Sequence, residues 1–163
     1  DVITDTGTTF KLNEAQWKAF RIITSHVVAS YVAKELNTEP VRQLMMLLTG
    51  PGGTGKTHVV KAVQAVMRHY GCAHLIRFLA PTGSAAALID GMTVHKGLGL
   101  KIKSLNKGKG NRQPGSATED YSVLISVQNR TQLREEWKNV EYLLVDEVSL
   151  LSLQLLAQID HAL

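Results

Sequence analysis

The chain has 163 residues, of which 44% are hydrophobic and 20% charged, with a net charge of +4 and a pI near 9.3. That length is one ordinary domain, able to bury a core without staples, and that composition excludes a disordered, collagenous or low-complexity chain. The basicity is local: Lys96, Lys101, Lys103, Lys107, Lys109 and Arg112 fall between Gly91 and Thr118 with no acid among them, leaving twelve basic against fourteen acidic residues elsewhere. No apolar run reaches the roughly 18 residues that a membrane span needs. The opening DVITDTGTTF has neither the basic nor the apolar segment of a signal peptide. It also lacks an initiator Met and reads as an excised piece of a longer chain. A single cysteine, Cys72, excludes an internal disulfide and fits a reducing, intracellular compartment.

In chain order, a polar lead-in is followed by a helix opening at Leu12–Gln16. Asn13 is a good N-cap, and Gln16 three residues on suits a capping box. Phe20, Ile23, Val27, Val28, Tyr31 and Val32 recur at helical spacing, and Glu39-Pro40 is the stop. Leu44–Leu48 is a continuous apolar run meeting a Gly-rich turn, which predicts a strand buried on both faces of a parallel sheet. Thr57–His69 predicts a helix ended by Gly71. Leu75–Leu79 is a second strand, and Pro81-Thr82-Gly83 turns into a short Ala- and Leu-rich helix. Residues 97–120, rich in Gly, Lys, Asn and Ser, predict a basic, mobile loop. A weak helical pattern covers Ser126–Trp137, a buried strand Tyr142–Val145, and an amphipathic helix Leu150–Leu163. Strands alternating with helices predict an α/β fold with a mostly parallel central sheet flanked by helices. All of 1–163 is expected to form one domain.

Two motifs carry chemistry. Gly50-Pro51-Gly52-Gly53-Thr54-Gly55-Lys56-Thr57 satisfies G-x-x-x-x-G-K-[ST] between an apolar run and a helix. Glycines let successive N–H groups curl inward around a phosphate, and the following helix adds its N-terminal donors. Lys56 can reach β- and γ-phosphates, and the Thr57 hydroxyl can ligate Mg²⁺. The second motif is Leu143-Leu144-Val145-Asp146-Glu147, two carboxylates at the end of an apolar strand. Ligands of open parallel sheets bind beyond the C-terminal strand ends. Asp146 is therefore expected at the Mg²⁺ and Glu147 at the γ-phosphate, where a carboxylate polarises the attacking water.

With their neighbours, these motifs resemble the Pif-type DNA helicases, 5′-to-3′ motors of helicase superfamily one. Leu12–Gln16 (LNEAQ) looks like their adenine-reading Q motif, Gly50–Thr57 like motif I, and Ala80–Ala86 (APTGSAA) like motif Ia. Thr93–Leu100 (TVHKGLGL) is similar to the threonine–histidine segment that follows, and Leu143–Ser152 (LLVDEVSLLS) to motif II. The resemblance implies a RecA-like domain that binds ATP or ADP with Mg²⁺. Lys56 and the backbone of Gly53, Thr54, Gly55, Lys56, Thr57 and His58 would hold phosphates. Thr57 and Asp146 would hold the metal, Glu147 would be the base, and Gln16 would read the adenine edge. Pro81, Thr82, Gly83, Thr93 and His95 would touch single-stranded DNA.

Blander roles stand beside these. Gln16 can simply close the capping box, Thr82 can be an N-cap, His95 a structural hydrogen-bonder, and the lysines a solvated face. Trp17 and Trp137 suit core packing better than base stacking. The resemblance further implies a second RecA-like domain, bearing arginine fingers, in the same full-length chain. It implies no membrane partner, a monomeric piece in isolation, and the nucleus or mitochondrion as the setting in a eukaryote. The competing readings are a RecD-type helicase motor, a self-contained P-loop enzyme such as a small kinase, and a nucleotide-independent nucleic-acid binding module.

Overall fold

The computed structural model of the chain describes residues 1–100 and 127–163. Most of the basic segment expected as a loop, Lys101 to Arg112 included, lies outside the described residues. The chain divides into two compact units, Asp1–Ile76 and Arg77–Leu163.

The first unit holds helices α1 (Val2–Thr9), α2 (Glu14–Glu35) and α3 (Lys56–His69). The sequence VITDTGTT is a poor helix former by propensity, yet α1 exists. Asp1 caps it by accepting from the Ile3 N–H, and the hydroxyls of Thr8 and Thr9 donate to the carbonyls of Thr4 and Asp5. Gly7 lies against the Trp17 ring, where a Cβ would overlap the indole. Helix α2 starts with the expected capping box. The Asn13 side chain accepts from the Gln16 N–H, and the Gln16 side chain accepts from the Asn13 N–H, both at 3.0 Å. It buries Ala19, Phe20, Thr24 and Val27 and ends at Glu35, where Asn37 takes the left-handed conformation (φ 50) before Glu39-Pro40 is reached.

Helix α3 buries Val59, Val60, Ala62, Val63, Val66 and Met67, the densest apolar face in the unit. Each fully buried Val or Met side chain is worth about 1.5–3 kcal/mol.

The expected strand over Leu44–Leu48 does not form. Residues 36–55 carry no strand or helix beyond the turns, and Met45 and Leu47 are 82% and 71% exposed. An extended run becomes a strand only through a neighbour's hydrogen bonds, and among the described residues none pairs with this one.

The second unit contains β1 (Ile76–Ala80, starting at the boundary), α4 (Gly83–Leu88), β2 (Met92–Thr93), α5 (Val94–Gly97), α6 (Val127–Trp137), β3 (Tyr142–Val145) and α7 (Leu153–Ala162). The sheet order is β2-β1-β3, and β1 pairs with β2 in parallel, Leu79 opposite Met92 and Ala80 opposite Thr93. The architecture is thus α/β, as the alternation predicts. Leu79, Val94, Leu98, Leu100 and Ile159 form the core, with Met92, Trp137, Leu143, Leu151 and Leu155 packed against it. Strand β3 is half-buried along its length rather than fully buried. The Trp137 indole donates to the Gly97 carbonyl at 2.8 Å, tying α6 to α5. Arg77 likewise holds the end of α6 to β1, donating to the Glu136 carbonyl at 2.7 Å.

Candidate nucleotide-binding site

In the first unit the chain leaves Pro51, turns through Gly53 (φ 78) and Gly55 (φ 82), and enters α3 at Lys56. Both glycines are left-handed, a conformation that a Cβ penalises. The turn is braced from inside. The Thr54 hydroxyl donates to the Pro51 carbonyl at 2.8 Å, and the Lys56 ammonium donates to the carbonyls of Gly50 and Pro51 at 2.8 and 2.9 Å. The His58 N–H donates to the Gly55 carbonyl at 3.0 Å. Among the described residues, nothing accepts from the N–H groups of Gly53, Thr54, Gly55, Lys56 and Thr57. These are consecutive donors at a helix N-terminus, and the first turn of α3 holds no acid. Such an arrangement suits an anion on dipole and hydrogen-bond grounds together.

Two side chains attach this loop to the corner between α1 and α2. The Gln16 amide donates to the Thr54 carbonyl at 3.0 Å. A ring nitrogen of His58, Nε2, lies 2.6 Å from the Phe10 carbonyl, and the two rings are tilted at 51° with centroids 5.4 Å apart. A carbonyl only accepts, so Nε2 carries the proton there. Neither tie is visible in the sequence, where the partners are 38 and 48 positions apart.

In the second unit, Asp146 and Glu147 directly follow β3. The Asp146 N–H donates to the Leu79 carbonyl at 2.9 Å, which fixes the end of β3 to β1. The Asp146 carboxylate accepts from the Glu147 N–H at 2.9 Å. Glu147 is exposed and left-handed (φ 51, ψ 41), and its carbonyl accepts from the Leu150 N–H. Because β1 and β2 are parallel and Ala80 is opposite Thr93, Pro81–Gly83 and Thr93–His95 leave the sheet at the same end. Thr82 and Thr93 both serve as N-caps, accepting from the N–H groups of Ala85 and Lys96 at 3.2 and 3.3 Å. Thr82 and Gly83 are exposed; Pro81, Thr93 and His95 are half-buried.

Trp17 and Trp137 are packing residues: Trp17 has its edge on Phe20 and Arg21 over its ring, and Trp137 is in the core of the second unit. Mg²⁺ is a hard cation that keeps several waters and needs few protein oxygens. The Thr57 hydroxyl of the first unit and the Asp146 carboxylate of the second are each oxygen donors of the kind it takes.

The AAA domain family matches residues 33–163. The chain belongs to that family. An AAA domain has the RecA-like P-loop fold, in keeping with the parallel sheet and the loop at the start of α3.

Among individual proteins, this AAA domain is similar to the ATP-dependent DNA helicase PIF1 of Saccharomyces cerevisiae, 32% identical over 112 residues, which is 69% of this chain and 12% of the yeast protein. The ATP-dependent DNA helicase RRM3 of the same species is 29% identical over 113 residues, 69% of this chain and 14% of RRM3. The RecBCD enzyme subunit RecD of Haemophilus influenzae is 28% identical over 129 residues, 76% of this chain and 20% of RecD. The chain thus spans a fifth or less of the length of these relatives. No solved structure matches it. Among the described residues, no helix is long and apolar enough to cross a membrane.

Proposed function

We propose that this chain is the ATP-binding first motor domain of a 5′-to-3′ DNA helicase, one RecA-like domain over 1–163 that couples ATP hydrolysis to movement along single-stranded DNA in the full-length protein. The observation that carries the reading is the run of N–H groups from Gly53 to Thr57 at the start of α3, beside the Lys56 ammonium. In this reading those donors and Lys56 hold the phosphates of ATP or ADP. Thr57 and Asp146 hold Mg²⁺, directly or through water, and the ion neutralises developing phosphate charge when bound. Glu147 orients the attacking water and accepts its proton. Pro81, Thr82, Gly83, Thr93 and His95 line the DNA track, with Thr82 and Thr93 keeping their capping roles. A second RecA-like domain contributes the cations missing from the far side of the γ-phosphate. In a eukaryote, the nucleus or mitochondrion is the proposed setting.

The helicase relatives support a motor over a self-contained P-loop enzyme. The test is calorimetric titration of Mg²⁺–ATP into wild type and Lys56→Ala. Loss of the ammonium should weaken binding by about 1.5–3 kcal/mol, the worth of a charge-assisted hydrogen bond. Equal affinities would refute the site.

A further inference from the structure

Gln16 is expected, from the resemblance above, to read the adenine base. Its position points to another task. The side chain is held at both ends: Oε1 accepts from the Asn13 N–H at 3.0 Å, and Nε2 donates to the Thr54 carbonyl at 3.0 Å. Its own N–H is held by the Asn13 side chain at 3.0 Å. The corner it belongs to is itself secured, by buried Leu12 and by the hydrogen bond between His58 and the Phe10 carbonyl. Gln16 and His58 therefore tie this corner both to the loop at Thr54 and to the helix that follows it. Thr54 lies between the two left-handed glycines; its hydroxyl is held by the Pro51 carbonyl and its own carbonyl by Gln16.

The second observation is at Gly55. A Cβ there would overlap Nε2 of Gln16. The loop is thus shaped to admit the amide at close range. An amide that only visited a base would not need that clearance beneath the phosphate loop.

We infer that Gln16 is a positioning residue for the phosphate loop, acting through the Thr54 carbonyl, so that it governs affinity for the polyphosphate whatever base is attached. The inference rests on the nucleotide-site reading above. Its chemistry is simple: in a trans peptide the C=O and N–H point opposite ways, so holding the Thr54 carbonyl on Gln16 turns the Gly55 N–H to the other side, where it stays available to an anion. Nε2 keeps a second hydrogen and Oε1 a second lone pair, so base reading and loop holding do not exclude each other. They do differ in what they predict.

The experiment measures Mg²⁺–ATP by calorimetry and Mg²⁺–tripolyphosphate, which has no base, by competition against ATP. The variants are Gln16→Ala, Gln16→Glu and Asn13→Ala. Gln16→Glu keeps the acceptor for the Asn13 N–H and removes the donor to Thr54, so it folds with its capping box intact. Both Gln16 variants should weaken tripolyphosphate about 3- to 10-fold for one neutral hydrogen bond, and ATP by at least that factor. Asn13→Ala should lower the melting temperature and leave both affinities alone, since Nε2 keeps its partner. If Gln16 variants weaken ATP and spare tripolyphosphate, Gln16 acts on the base and the inference falls. Unchanged affinity for both ligands overturns it as well. A wild-type chain that binds neither ligand overturns the nucleotide site itself, which separates that failure from a failure of Gln16.

Discussion

In the phosphate loop the left-handed conformations fall on Gly53 and Gly55, where no side chain opposes them. In the acidic turn the left-handed conformation falls on Glu147, where the side chain makes it cost about 1–2 kcal/mol. The loop is braced by neighbours a few residues away: Thr54 and Lys56 donate to Pro51, and His58 to Gly55. The turn is braced by a strand 67 positions back, through the Asp146 N–H on the Leu79 carbonyl. One candidate region is thus braced chiefly within residues 50–58, with Gln16 and Phe10 as its distant ties, while the other leans on a strand far back in the chain.

Four substitutions press on this contrast, from the largest effect to the smallest. Leu79→Ala empties a fully buried position at the centre of the sheet whose carbonyl also holds Asp146. It should cost about 2–5 kcal/mol of stability in urea denaturation. A cost well under that range would show that the sheet closes over the lost side chain. Gly55→Ala places a Cβ in the left-handed region and against Gln16. About 1–3 kcal/mol of strain follows, read as a lower melting temperature together with weaker Mg²⁺–ATP binding. Wild-type behaviour would mean that the loop is not fixed by its glycines.

Trp137→Phe keeps the ring in the core and leaves the Gly97 carbonyl without its donor. The expected cost is about 1 kcal/mol, seen as a shifted urea midpoint with an unchanged slope. Glu147→Gly should go the other way. Relief of about 1–2 kcal/mol of strain, less about 0.5–1 kcal/mol for the added backbone freedom of glycine, leaves a small gain in stability. The same variant should lose hydrolysis in a chain that also carries the second motor domain. A destabilised Glu147→Gly would show that the turn is not strained.

Much of this was legible in the sequence. The capping box at Asn13 and Gln16, the helix over Lys56–His69 and the strand at Tyr142–Val145 follow from local residue chemistry and hydrophobic spacing. What escaped was non-local. Helix α1 owes its existence to Thr hydroxyls bonding backwards and to Gly7 meeting Trp17, neither of which propensity registers. Strand β2 has two residues and exists only as a partner of β1. The apolar run at Leu44–Leu48 has strand composition, but composition supplies no neighbour. In the candidate site, the loop and the carboxylates could be named from their motifs. The Gln16 and His58 ties and the backbone of Glu147 could not, because they are set by residues far away in the chain or by tertiary constraint.

The clearance between Gly55 and the Gln16 amide makes the two positions a linked pair in any selection. Asparagine is the side chain that best tolerates a left-handed backbone after glycine, yet beside a long amide at position 16 it has no room. In a library varied at both sites and sorted for nucleotide capture, glycine should dominate position 55 wherever residue 16 is Gln. Asparagine should surface there only in clones whose residue 16 has shrunk to Ala or Ser. The loop's sequence and the helix cap 39 positions away would then be inherited together rather than site by site.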